Sequence, residues 1–171
     1  MSSRSLLRLL VSLLGFCAGA VARADVKAGD AFPSLAGAGL TSLSGAPAVF
    51  ASGQVRLVDF WASWCAPCKA SFPAMARLQA DYGARGLQIV AVGIDEKPSA
   101  AASFWKKMAP PFLGLHDRDQ KFVRQVGVPT MPTSYLVDRT GKVRFVHEGF
   151  HGEATERDLR RQIEALLAEK S

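Results

Sequence analysis

The chain has 171 residues, 49% hydrophobic and 21% charged, with a formal charge of +6. That composition supports one domain with a buried core, and no internal repeat or low-complexity segment is visible. Removing Arg4, Arg8 and Arg23 with the leader described next lowers the charge to +3, and no Lys/Arg stripe with interleaved aromatics exists, so a nucleic-acid role is not expected.

The first 24 residues read as a secretory leader. Arg4 and Arg8 form a positive start, residues 9–22 are an uncharged apolar stretch, and Ala22-Arg23-Ala24 gives a small-x-small cleavage pattern. The stretch of 14 residues falls short of the roughly 20 a spanning helix needs, which disfavours the competing reading of a retained anchor. Cys17 follows the bulky Phe16, a poor fit to a lipoprotein cleavage site. Cleavage after Ala24 leaves residues 25–171 as one domain, with Cys65 and Cys68 as its only cysteines. A periplasmic location follows as the expectation.

Residues 25–54, rich in Gly, Ala and Ser, predict a loose lead-in with a short strand or two. The β-branched and aromatic run Val55–Trp61 predicts a buried strand. Helical spacing of Phe72, Met75, Leu78 and Tyr82 predicts a helix from Cys68, bent at Pro73. Residues 87–94 form a nearly unbroken apolar run, expected of a central parallel strand covered on both faces. A helix over 99–108, a short strand over 112–115 and a short helix over 119–126 follow. Strands at 133–137 and 143–147 flank the hairpin turn Asp138-Arg139-Thr140-Gly141, and Leu159, Ile163, Leu166 and Leu167 mark the apolar face of a closing helix. The order predicts an α/β fold with a mixed central sheet flanked by helices.

Cys65 and Cys68 stand two residues apart in Phe60-Trp61-Ala62-Ser63-Trp64-Cys65-Ala66-Pro67-Cys68-Lys69. A disulfide across so short a loop constrains the unfolded chain little, so the pair suits reversible electron transfer better than structural stapling. A strand pattern before it and a helix pattern after it argue against half of a zinc site. Cys65 at a helix N-terminus has free N–H groups and the positive dipole end to stabilise a thiolate, so it is the expected nucleophile. Cys68, in register with Phe72 and Met75, faces the core as the resolving thiol. Pro67 is shaped for a first helical turn, and Trp64 is expected to wall the site or simply to pack.

The stretch from Leu57 to Lys69, followed by Met131-Pro132-Thr133, a strand and Gly141, resembles the active-site segment and cis-proline loop of thioredoxins. The leader and the 38-residue step from Ile94 to Pro132 resemble the exported TlpA/ResA branch, whose members carry an extra helix and strand in that interval. The resemblance covers about residues 30–168 and implies a thioredoxin-like fold with thiol–disulfide oxidoreductase activity. It implies that Asp59, six residues before Cys65, assists proton transfer at the shielded cysteine; burial would raise its pKa toward neutrality. The competing role is a carboxylate satisfied by a nearby backbone or Lys group. Pro132 is expected to be cis, opposite Cys65, with Met131 backbone groups open to an extended substrate; Pro129 in Val128-Pro129-Thr130 is the rival. Trp64, Pro67 and Met131 are thus the expected substrate contacts.

Ser71 stands where many TlpA/ResA relatives have Glu, which weakens any carry-over of a specialised cytochrome c maturation role. Ala66-Pro67 lacks the histidine of strong oxidants, so a reductase is expected, with a potential nearer about −270 mV than about −120 mV. No metal or organic cofactor is expected beyond the Cys65–Cys68 disulfide. The expected partners are disulfide-containing exported proteins and a membrane-embedded thiol donor, with the chain a monomer. His116, His147 and His151 read first as surface residues. His147 and His151 with the cysteines make a copper metallochaperone one alternative, although such proteins usually carry a wider Cys-x-x-x-Cys spacing. A thiol peroxidase is another, disfavoured by the Trp-Cys-x-Pro-Cys context.

Overall fold

The computed structural model describes residues 25–169; the expected leader lies outside them. No helix among the described residues is long and apolar enough to cross a membrane.

In chain order the elements are β1 (Thr41–Ser42), β2 (Val55–Trp61), α1 (Ala66–Tyr82), β3 (Leu87–Gly93), α2 (Pro98–Met108), β4 (Leu113–His116), α3 (Lys121–Val126), β5 (Thr133–Val137), β6 (Val143–Glu148) and α4 (Glu153–Ala168), with a 3-10 turn at Gly83–Arg85. The sheet order is β1-β4-β3-β2-β5-β6. β2, β3 and β4 run parallel, while β5 pairs antiparallel with β2 and β6 antiparallel with β5. The result is the mixed sheet expected. α2 and β4 fill the interval in which an extra helix and strand are expected, and β4 extends the sheet to β1.

The two faces of β2 explain the layering. Val55, Leu57 and Trp61 point into a cluster with Cys68, Phe72, Met75 and Leu78 of α1 and Leu159 and Ile163 of α4. Val58 and Phe60 point the other way, onto Phe122, Val126 and Tyr135. Burying each large apolar side chain contributes about 1.5–3 kcal/mol, so the helix carrying the cysteines is anchored by its own apolar stripe.

The lead-in holds one two-residue strand, β1, and a single antiparallel bridge from Ala31 to Lys142. Pro73 lies inside α1, which runs unbroken from Ala66. Pro73 and Lys69 are both exposed, so the Lys69 carbonyl that loses its helical donor at Pro73 lies on the solvent side. The turn between β5 and β6 closes on Asp138, whose Oδ1 accepts from the N–H groups of Thr140 and Lys142 and from Thr140 Oγ1. Gly141 follows at φ 87°, a left-handed conformation glycine adopts without Cβ strain.

Candidate active site

α1 begins where the chain leaves the C-terminal end of β2. Cys65 is the N-cap of α1 in extended conformation, and its Sγ accepts the Cys68 N–H at 3.2 Å. Pro67 sits in the first turn, where its missing N–H costs nothing. Cys65 and Cys68 form a disulfide with Cα atoms 5.3 Å apart. Cys68 is fully enclosed and Cys65 is 5% exposed. In the oxidised state Cys65 is therefore more enclosed than an openly accessible nucleophile, and the difference between the two runs in the expected direction. Trp64 is 68% exposed, so it stands out from the surface beside Cys65 and is not a packed core residue.

The cis peptide bond is Met131–Pro132; the Val128–Pro129 bond is not cis. Pro132 is buried, and its carbonyl accepts from Gly149 N–H at 2.7 Å. Met131 is half-buried, packs against the cluster that holds both cysteines, and makes no backbone hydrogen bond to another described residue. Its N–H and carbonyl are therefore not committed to a backbone partner among the described residues.

Asp59 is wholly buried in β2, on the same face as Leu57 and Trp61 and hence toward the cluster containing Cys68. Ser134 Oγ donates to its Oδ1 at 2.6 Å, while Oδ2 has no partner. Burial pushes the carboxyl up to about 7, partly opposed by the Ser134 hydrogen bond. The competing role, a carboxylate satisfied by backbone or Lys, does not match this environment: a serine hydroxyl serves one oxygen and nothing serves the other.

Two features escaped the sequence reading. One is Ser134, a polar residue inside an apolar strand. The other is a clamp on the loop before Cys65. Asp95, just past β3, accepts from Ser63 N–H at 3.0 Å and from Ser63 Oγ at 2.6 Å. His116 Nε2 donates to the Asp95 carbonyl at 2.7 Å. His116 is therefore buried, not the surface residue expected, because its ring satisfies a carbonyl at the same edge of the sheet. His147 is half-buried against Gln162, and His151 is exposed ahead of α4. Among the described residues no group of three or more His, Cys, Asp or Glu is placed to hold a metal ion. Ser71 is buried with its hydroxyl on the Cys68 carbonyl at 2.8 Å, so no acid occupies that position.

Residues 27–163 match the family described as Redoxin. The chain belongs to the Redoxin family. Within it the chain is similar to thiol-disulfide oxidoreductase ResA of Bacillus thuringiensis (strain Al Hakam), 35% identical over 107 residues, covering 63% of this chain and 60% of ResA. It is also similar to thiol:disulfide interchange protein HelX of Rhodobacter capsulatus, 33% identical over 117 residues, covering 68% of this chain and 62% of HelX. The match therefore spans under two thirds of these relatives' length. A crystal structure described as thiol:disulfide interchange protein DsbE from Chlorobium tepidum superposes with a TM-score of 0.71 at 38% identity, covering 84% of this redoxin and 99% of that chain. These likenesses make this redoxin a TlpA/ResA-like member of the thioredoxin superfamily.

Proposed function

We propose that this redoxin is an exported thiol–disulfide oxidoreductase of the periplasm that acts mainly as a reductase of protein disulfides. The observation that carries the reading is the disulfide at the N-terminus of α1, flanked by exposed Trp64, with a buried acid near neutrality on the resolving-cysteine side. The names of the ResA, HelX and DsbE relatives support it.

The chemistry begins with the reduced pair. Cys65 thiolate attacks one sulfur of a partner disulfide; the S–S bond breaks and the departing sulfur takes a proton. Cys65 is then bound to the partner as a mixed disulfide. Asp59 takes the proton of Cys68, whose sulfur attacks Cys65 Sγ and expels the partner's second thiolate. Two electrons have moved from the cysteine pair to the partner, and the Cys65–Cys68 bond has re-formed. Met131 backbone groups and Trp64 hold the partner segment, and Asp95 holds Ser63 so that the loop presents Cys65. No metal or organic group enters these steps. The partners are exported proteins carrying a disulfide, and a membrane-embedded thiol donor returns the electrons. The chain acts as a monomer.

Reduced Cys68→Ser protein mixed with oxidised insulin is expected to accumulate a dithiothreitol-sensitive adduct through Cys65, whereas Cys65→Ser protein forms none. Non-reducing gels and mass spectrometry read the outcome. Failure of Cys68→Ser to form any adduct would sink the assignment.

A further inference from the structure

We propose that Ser134 is a positioning residue that holds Oδ1 of Asp59 so that the proton exchanged with Cys68 is carried on Oδ2. The inference rests on the exchange chemistry above and deepens it.

All five residues of β5 are buried, so a hydroxyl there is costly unless paired. Ser134 finds its partner 75 residues away, because the register of β2 and β5 places Asp59 directly opposite Ser134. The hydroxyl donates to Oδ1 at 2.6 Å, and Oδ2 is left buried without a partner. A hydroxyl has a single proton to donate, so the carboxyl oxygen that receives it acts as acceptor and the other carries the acid proton. Donation also favours the ionised form, which burial alone disfavours. Without Ser134, neither oxygen would be held, and the proton could sit on either.

The surroundings narrow the alternatives. Toward this face α1 and its N-cap contribute the titratable groups Cys65 and Cys68, and the last residue of the helix, Tyr82, whose hydroxyl donates to Glu164 Oε1 at 2.8 Å. α4 contributes apolar Leu159 and Ile163, while its Glu156 and Arg160 pair with Arg77 and Asp81 on the surface. β3 places Ala91 beside Asp59. On β6 the register neighbour of Ser134 is His147, held by Gln162 at 2.7 Å. His147 is the one histidine beside this row, and the variant His147→Gln removes its imidazole.

The test measures single-turnover reduction of insulin by the reduced chain from pH 5 to 9, alongside the ¹³C carboxyl titration of Asp59 by NMR. Ser134→Ala and Ser134→Val are expected to move the Asp59 inflection up by about one pH unit, a tenfold lower ionised fraction at a given pH below it. Ser134→Thr, isosteric with Val but bearing a hydroxyl, is expected to keep the wild-type profile, and His147→Gln to leave it in place. Profiles of Ala and Val variants that overlay the wild type, a Thr variant that behaves like Val, or loss of the inflection in His147→Gln would each overturn the proposal. If the wild type reduces no disulfide at any pH while the NMR titration still shifts with the Ser134 series, the enzyme reading fails and the Asp59–Ser134 coupling stands.

Discussion

Asp59→Asn is expected to stabilise the folded chain by about 2–4 kcal/mol at pH 8 and by almost nothing at pH 4. The folded carboxyl, pushed up from 3.8 to about 7 by burial, keeps its proton across a range in which the unfolded chain has released it. The native state therefore binds more protons between about pH 4 and pH 7, and stability falls as pH rises through that window. Above about pH 7 the whole cost is present, because a buried carboxylate with one oxygen unpartnered must be ionised. Asn carries no charge, although its amide donors also lack buried partners, which sets the lower end of the range. Urea denaturation of both proteins at pH 4 and pH 8 reads the difference. A variant no more stable than wild type at pH 8 would contradict the buried, half-partnered acid described here. Retention of so costly a group is what a proton-transfer role predicts.

The second large effect is steric. A Cβ on Gly114 would lie 2.3–2.5 Å from three ring atoms of Trp105, far inside contact distance. Gly114 is in β4 and Trp105 in α2, so the indole lies flat on the strand because the strand has no side chain there. Trp105 is in turn packed against Trp61, Phe72 and Phe112, leaving the ring no space to retreat. Gly114→Ala is therefore expected to lower stability by about 3 kcal/mol, a fall of about 10 °C in Tm. Gly93→Ala, whose Cβ would meet the Trp61 ring at 2.8 Å, provides a second case in the same aromatic stack. Unchanged melting of both variants would show that α2 and β4 are not packed as described. The stack continues through Phe72 to the helix that bears Cys65 and Cys68, so loss of this packing should also loosen the redox site.

Much of this architecture was legible because its signals are local. Val55–Trp61 and Thr133–Val137 are strand-like in composition and bounded by turn residues, and both form as predicted. The helical stripe through Phe72, Met75 and Leu78 locates α1, and only its start differs, at Ala66. β1 was not legible as a particular strand: Thr41–Ser42 is polar, and only pairing with His116 and Leu115, far along the chain, orders it. The cysteine pair and its placement before a helix are encoded in consecutive residues. The groups that serve them are not. Ser134 is adjacent to Asp59 solely through strand register, and the Ser63–Asp95–His116 contacts join two connections and the end of β4. His116 was misplaced for the same reason: a histidine at a strand end is exposed by default, and the carbonyl that draws it inward belongs to another segment. An acid at position 95, directly after a buried strand, was the one available hint of that clamp.

Two sulfurs on one short turn, only one of which can meet a partner, are the premise beneath the proposed chemistry. The most direct measurement is quench-flow alkylation of the fully reduced chain at pH 7 with iodoacetamide, followed by peptide mapping. Cys65, capping α1, is expected to be modified at least tenfold faster than enclosed Cys68. Equal rates, or faster labelling at Cys68, would contradict the division of labour on which the account depends.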